Sequence, residues 1–122
     1  MNASVFYQDI TNEFVHHYIE LMKEDPKKTE PMYDSNVKLV VGKDIIQGHD
    51  EVCKKIQSMG KFELSGMGNE FCGQPYGQNG DVIITVRVKA NLHEYASTFV
   101  LHEIESQRHR FAVILQIIHP LS

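Results

Sequence analysis

The chain has no tryptophan, two cysteines, four prolines and fewer basic than acidic residues. Each shortage removes a class of protein. Cys53 and Cys72 form no CxxC pair, and a secreted scaffold of this size would usually carry more bridges, so two free thiols in a reducing setting are expected. Twelve Lys and Arg against 16 Asp and Glu give a formal charge of −4, which argues against direct nucleic-acid binding, since that affinity rests on cationic neutralisation. Protonating all seven histidines would carry the balance to +3. No apolar run approaches the roughly 18–20 residues that span a bilayer. The opening Met1-Asn2-Ala3-Ser4-Val5-Phe6 lacks the charged and apolar regions of a signal peptide, so no leader and no membrane partner is expected. No GxSxG, Walker loop or GxGxxG occurs. His16 and His17 are adjacent, point about 100° apart on a helix and do not suit one metal ion. Neither a metal nor a cofactor is expected.

What is present is an ordinary globular composition, 42% hydrophobic and 23% charged over 122 residues, enough for one domain over residues 1–122 with a single core. Tyr7, Ile10, Phe14, Tyr18, Leu21 and Met22 recur at helical spacing and predict a helix over 4–24. Asp25-Pro26 starts a second, short helix ending near Pro31-Met32-Tyr33. Residues 37–41 predict a strand, and Gly42-Lys43-Asp44 a turn into Ile45 and Ile46. A third helix opens near Gly48-His49-Asp50, carries Val52, Ile56 and Met59 on one face, and stops at Gly60.

Beyond Lys61 the pattern becomes β. Gly66, Gly68 and Gly73 predict short or bulged strands over 61–76, and 74–80 a surface turn. Strands follow at 81–90, 95–104 and 110–118, joined by turns at Asn91-Leu92-His93-Glu94 and at 105–109. Val82, Ile84, Val86 and Val88 alternate with more polar neighbours, as a strand with one core face requires. In the last strand Phe111, Val113, Leu115 and Ile117 are expected on one face and Ala112, Ile114 and Ile118 on the other. Both sets are apolar. Three modest helices can cover one side of such a sheet, so the face of Phe111, Val113, Leu115 and Ile117 is expected to meet a second chain, most simply in a homodimer.

The order α-α-β-α followed by a long meander predicts an α+β cone, three helices on a strongly bent antiparallel sheet. Here the residues become specific. Phe14-Val15-His16-His17-Tyr18-Ile19-Glu20-Leu21, then Tyr33, a strand, and Ile46-Gln47-Gly48 before the third helix, with Gln74-Pro75 and Phe99-Val100-Leu101 later, resemble the nuclear transport factor 2 family over nearly the whole chain. The resemblance implies a non-enzymatic homodimeric carrier of the cytoplasm, nucleus and nuclear pore, which binds GDP-bound Ran and the phenylalanine–glycine (FG) repeats of nucleoporins. Carried over by position, it implies Phe6, Tyr7 and Ile10 for repeat binding. Asp44 and Glu94 would rim a Ran cavity, with Phe14 and Tyr18 as its wall. Two relatives on the same fold imply alternatives. One is the small heterodimer subunit of an mRNA export receptor. The other is a stress-granule domain whose peptide groove would match Phe14, Met32 and Ile118. The cone also resembles ketosteroid isomerase and scytalone dehydratase, for which Tyr18, Tyr33, His17 and Asp34 would be the candidates. Cys53 and the basic spots at 27–28, 54–55 and 108–110 read more simply as packing and as solvated surface.

Overall fold

The computed structural model describes residues 3–65, 71–77, 80–105 and 110–121, without the side chains of 3–6 and of 105. Gly66 and Gly68, residues 78 and 79, the turn at 106–109 and the Phe6 side chain, all part of the expectations above, lie outside the described residues. Helix α1, Ala3–Glu24, is followed by a 3-10 helix, Pro26–Met32, and strands β1, Tyr33–Val41, and β2, Asp44–Gln47. Helix α2, His49–Ser58, leads into β3, Glu63–Leu64, β4, Phe71–Tyr76, β5, Asp81–Ala90, β6, His93–Glu105, and β7, Arg110–Pro120.

The short helix starts as its sequence dictates. The Asp25 carboxylate accepts from the Lys27 N–H at 3.0 Å and Pro26 takes the first helical position, where its missing N–H costs nothing. In β5, Val82, Ile84, Val86 and Val88 are buried while Thr85, Arg87 and Lys89 are exposed, the expected alternation. The sheet runs β2-β1-β7-β6-β5-β3, with β4 also on β5. It is mixed rather than purely antiparallel, because β1 lies parallel to β7, from Tyr33 opposite Val113 to Val41 opposite Ile118. The short helix delivers β1 to the end at which β7 also begins, so the two strands run the same way.

Three smaller expectations shift. Residues 74–76 belong to β4 instead of a turn, and Pro75 is tolerated there because β4 pairs with β5 alone. The β5–β6 connection is two residues, Asn91 and Leu92, both at positive φ, so His93 and Glu94 are strand residues. The Asn91 amide donates to the Met59 carbonyl at 3.2 Å, which seats the hairpin on the end of α2.

The third correction concerns β7. Val100 faces Leu115 and Leu101 faces Val113, so Ile114 is one extra residue in β7. An extra residue reverses the side-chain alternation beyond it. Phe111 and Val113 therefore point to the helix side, together with Gln116 and Ile118, while Leu115 and Ile117 point outward. The four residues expected on one outer face are split two and two.

The core lies between the helices and the inner face of the sheet, built by Phe14, Tyr18 and Met22 of α1, Val52 and Ile56 of α2, and Leu39, Val86, Phe99, Leu101 and Ile118 of the strands. Helix α1 meets β4 closely. A Cβ at Gly73 would overlap the Thr11 hydroxyl oxygen and lie 2.9 Å from Thr11 Cβ. Thr11 is fully buried, and its hydroxyl is held by a 2.7 Å bond to the Tyr7 carbonyl. Gly73→Ala is expected to lower unfolding stability by about 1–3 kcal/mol through overpacking. Urea unfolding of both chains tests this, and unchanged stability would mean that α1 and β4 do not meet at Gly73.

Candidate functional site

The interior of the cone around Tyr18 is closed by its own side chains. Phe14, Tyr18 and Phe99 pack as rings, with centroids 5.0–5.7 Å apart. The remaining space among Phe14, Val15, Tyr18, Ile19, Phe62, Val86, Val88, Ser97 and Phe99 is about 10 Å³, no more than one water's share.

The polar groups there satisfy one another. Tyr33 donates to Gln116 Oε1 at 2.7 Å, so the 2.6 Å bond between the two tyrosine hydroxyls has Tyr18 as donor. Gln116 Nε2 donates in turn to Ser97 Oγ at 3.1 Å. Burial pushes the Tyr18 phenol well above its ordinary range, against the lowering effect of its hydrogen bond to Tyr33. Burial also raises Tyr33, and the neighbouring Tyr18 adds to it. Both phenols are held neutral. His17 and Asp34, the other candidates for proton transfer, are elsewhere: His17 is exposed on α1, and Asp34 accepts from the Asn36 N–H at 2.9 Å in the irregular first half of β1. The Cys53 thiol is pushed up to about 11, chiefly by burial and then by Glu30 and Asp50, which makes it a poor nucleophile at neutral pH. Among the described residues no cluster of His, Cys, Asp and Glu could hold a metal ion. No described helix is long and apolar enough to cross a membrane.

An open pocket of about 340 Å³ lies on the other side of Phe14, between α1 and the inner face of β6 and β7. Ile10, Glu13, Phe14 and His17 form its helical wall, Leu101 and Phe111 its sheet wall, and Met32 one end. An apolar cavity of roughly 150 Å³ already accommodates a benzene ring, so the pocket has room for one aromatic side chain and part of its backbone.

The expected site residues divide around it. Ile10 and Phe14 line the pocket. Tyr7 is half-buried against the core one turn earlier, and Tyr18 faces the closed interior. Asp44 and Glu94 do not rim the pocket. Asp44 is exposed on β2 at the sheet edge. Glu94, drawn into β6 by the tight hairpin, accepts from Arg87 at 3.1 Å and from Ser65 at 3.0 Å. Ile118 is buried in the core and does not line the pocket; Phe111 stands there instead. Glu13 was not marked by the periodicity, which puts it with the polar residues beside the apolar stripe of α1. Phe111 was not legible as a wall residue, because its side of the sheet depends on the bulge.

The outer face of the sheet carries an apolar band. Ile45, Val40, Ile117 and Thr98 run side by side across four strands, and Leu115, Val100 and Ile83 form the next row. Ile45 is 69% exposed and Ile117 38%.

Tyr33→Phe removes the middle of the hydrogen-bonded chain and leaves Tyr18 and Gln116 each short of a partner, a loss of about 2 kcal/mol at neutral pH. Because the folded chain keeps phenols that the unfolded chain ionises, the wild type should lose stability as pH rises above about 10. The variant, with one such phenol fewer, should lose less. Urea titrations at pH 7 and pH 10.5 measure both effects, and equal alkaline losses would sink the account.

Comparisons with known proteins place this geometry. The model of the nuclear transport factor 2 (NTF2) domain matches residues 10–117. Among solved structures, nuclear transport factor 2 of Cryptosporidium parvum aligns over 93% of this chain and 94% of its own, with TM-score 0.70 and 20% identity. A candidate ketosteroid isomerase of Parabacteroides distasonis aligns over 85% of both chains, with TM-score 0.60 and 17% identity. A Nostoc punctiforme protein of unknown function with a cystatin-like fold aligns over 92% of this chain and 90% of its own, with TM-score 0.63 and 13% identity. At such identities the structures establish the fold alone, one shared by transport factors and isomerases. No curated protein matches the sequence.

Proposed function

The chain belongs to the nuclear transport factor 2 domain family, and from that premise we propose that it is a non-enzymatic, dimeric carrier of the nuclear pore that binds phenylalanine side chains of its partners in the pocket between α1 and β6–β7. The observation that carries this reading is the contrast between two cavities lined by described residues. The cone interior around Tyr18 is filled to about 10 Å³, whereas the pocket between α1 and β6–β7 is open, about 340 Å³, and walled by Ile10, Phe14, Met32, Leu101 and Phe111, with Glu13 and His17 exposed at its edge. An apolar slot suits an aromatic anchor, and a buried aromatic supplies most of the affinity of a small interface. Tyr18 and Tyr33, the tyrosines an isomerase reading would use, do not line this pocket and have no reach to a ligand in it.

The partners implied by the family are FG-repeat nucleoporins and GDP-bound Ran, met in passage between cytoplasm and nucleus. Of the two, the geometry favours the repeats, because Asp44 and Glu94 stand away from the pocket. A second reading has an observation of its own. Phe14 and Met32, two of the three positions matching a stress-granule peptide groove, line this same pocket, with Phe111 in place of Ile118. Both readings make the pocket a receptor for a phenylalanine in a short peptide.

Titrating isotope-labelled protein with an FG-repeat peptide is expected to move the amide signals of Ile10, Phe14, Met32, Leu101 and Phe111. An unchanged spectrum with the peptide and with GDP-bound Ran would refute the carrier. The outer band of Ile45, Val40, Ile117 and Leu115 is the surface for the second subunit. Ile117→Asp is expected to halve the mass seen by light scattering without loss of folding, since a carboxylate has no place in an apolar interface. An unchanged dimeric mass would move the interface elsewhere, and a monomeric wild type would exclude the homodimer.

A further inference from the structure

The mouth of the pocket is electrically one-sided. Asp9, Glu13 and His17 succeed one another at four-residue spacing, so they follow one line along α1. All three are exposed, and Glu13 and His17 line the pocket. With histidine counted neutral, Glu13 carries the one formal charge among the lining residues, and Asp9 continues that sign one turn away. On the facing wall Glu103 lies opposite Phe111 in the ladder and Arg110 immediately precedes it, one charge of each sign. The described groups around the opening therefore sum to a negative rim.

We propose that this pocket, taken as the aromatic receptor argued above, also reads the residue beside the aromatic and prefers lysine or arginine there to aspartate or glutamate. Glu13 and Phe14 line the same pocket, so a cation one or two positions from a ring bound against Phe14 is placed at the wall that carries the Glu13 carboxylate. An extended peptide places next-but-one side chains on the same side, about 7 Å apart. The ring supplies the buried area, and the rim charge adds selectivity and encounter rate more than affinity. An acidic flank would meet the same carboxylate as a like charge and be disfavoured. The inference rests on the aromatic-receptor reading and adds the charge of the ligand to it.

The test uses the full chain and two fluorescent hexapeptides, Gly-Ser-Phe-Gly-Lys-Gly and Gly-Ser-Phe-Gly-Asp-Gly, followed by anisotropy. The lysine peptide is expected to bind about threefold more tightly at low salt, the size of a partly exposed ion pair. That preference should shrink at about 1 M salt, where the screening length falls to roughly 3 Å. Glu13→Lys, a change at an exposed helical position, should reverse the preference, while Glu13→Gln should abolish most of it. Equal affinity for both peptides, or a preference that Glu13→Lys leaves unchanged, overturns the charge selectivity and leaves the aromatic receptor standing. Failure of both peptides to bind overturns the two together.

Discussion

One buried chain of hydrogen bonds holds the parts of this fold in register. Tyr18 of α1, Tyr33 at the start of β1, Gln116 of β7 and Ser97 of β6 pass donors in a single direction, and no described buried side-chain polar atom is left without a partner. Each link adds only about 1 kcal/mol net, but an unmade one inside an apolar core costs more than a made one gains. The chain therefore fixes which residues of helix and sheet face each other, beyond what the surrounding hydrophobic contacts require. It also fills the interior of the cone around Tyr18, where about 10 Å³ of free space remains. The polar groups of the cone interior are committed to one another, and both phenols stay protonated at any ordinary pH.

The second constraint is the single extra residue in β7. Before Ile114 the inner side chains are Phe111 and Val113; after it they are Gln116 and Ile118. Without the bulge, Gln116 would point away from Tyr33, or Phe111 away from the pocket. The same displacement turns Leu115 and Ile117 outward beside Val40 and Ile45, making the apolar band on the far side of the sheet. One backbone irregularity thus serves the core, the pocket and the outer face together, as bulges often do where a sheet bends.

Phe14 links the core to the site. One side of its ring packs with Tyr18 and Phe99, and it also walls the open pocket. A pocket wall built from a core residue is rigid, so little conformational entropy remains to be lost when a ligand binds. The tight approach of Thr11 to Gly73 fixes α1 on β4 a few residues away, and with it the line of Asp9, Glu13 and His17 at the opening.

Much of the architecture was legible in the residues because it is written in local periodicity. The helical stripe from Ile10 to Met22, the Asp25-Pro26 start, the alternation of Val82 to Val88 and the order of elements all follow from nearest-neighbour chemistry, and with them the α+β cone and the family. What was not legible depended on partners distant in sequence. The parity of β7 is set by its pairing with β6. The displacement of Glu94 from a loop into a strand is set by a two-residue turn docked on Met59. The parallel pairing of β1 is set by where the short helix delivers it. The sequence alone determined which side chains are apolar and how each segment curls; tertiary structure decided which apolar side chains face inward, because register across strands is fixed by long-range hydrogen bonding and core packing that no local pattern encodes.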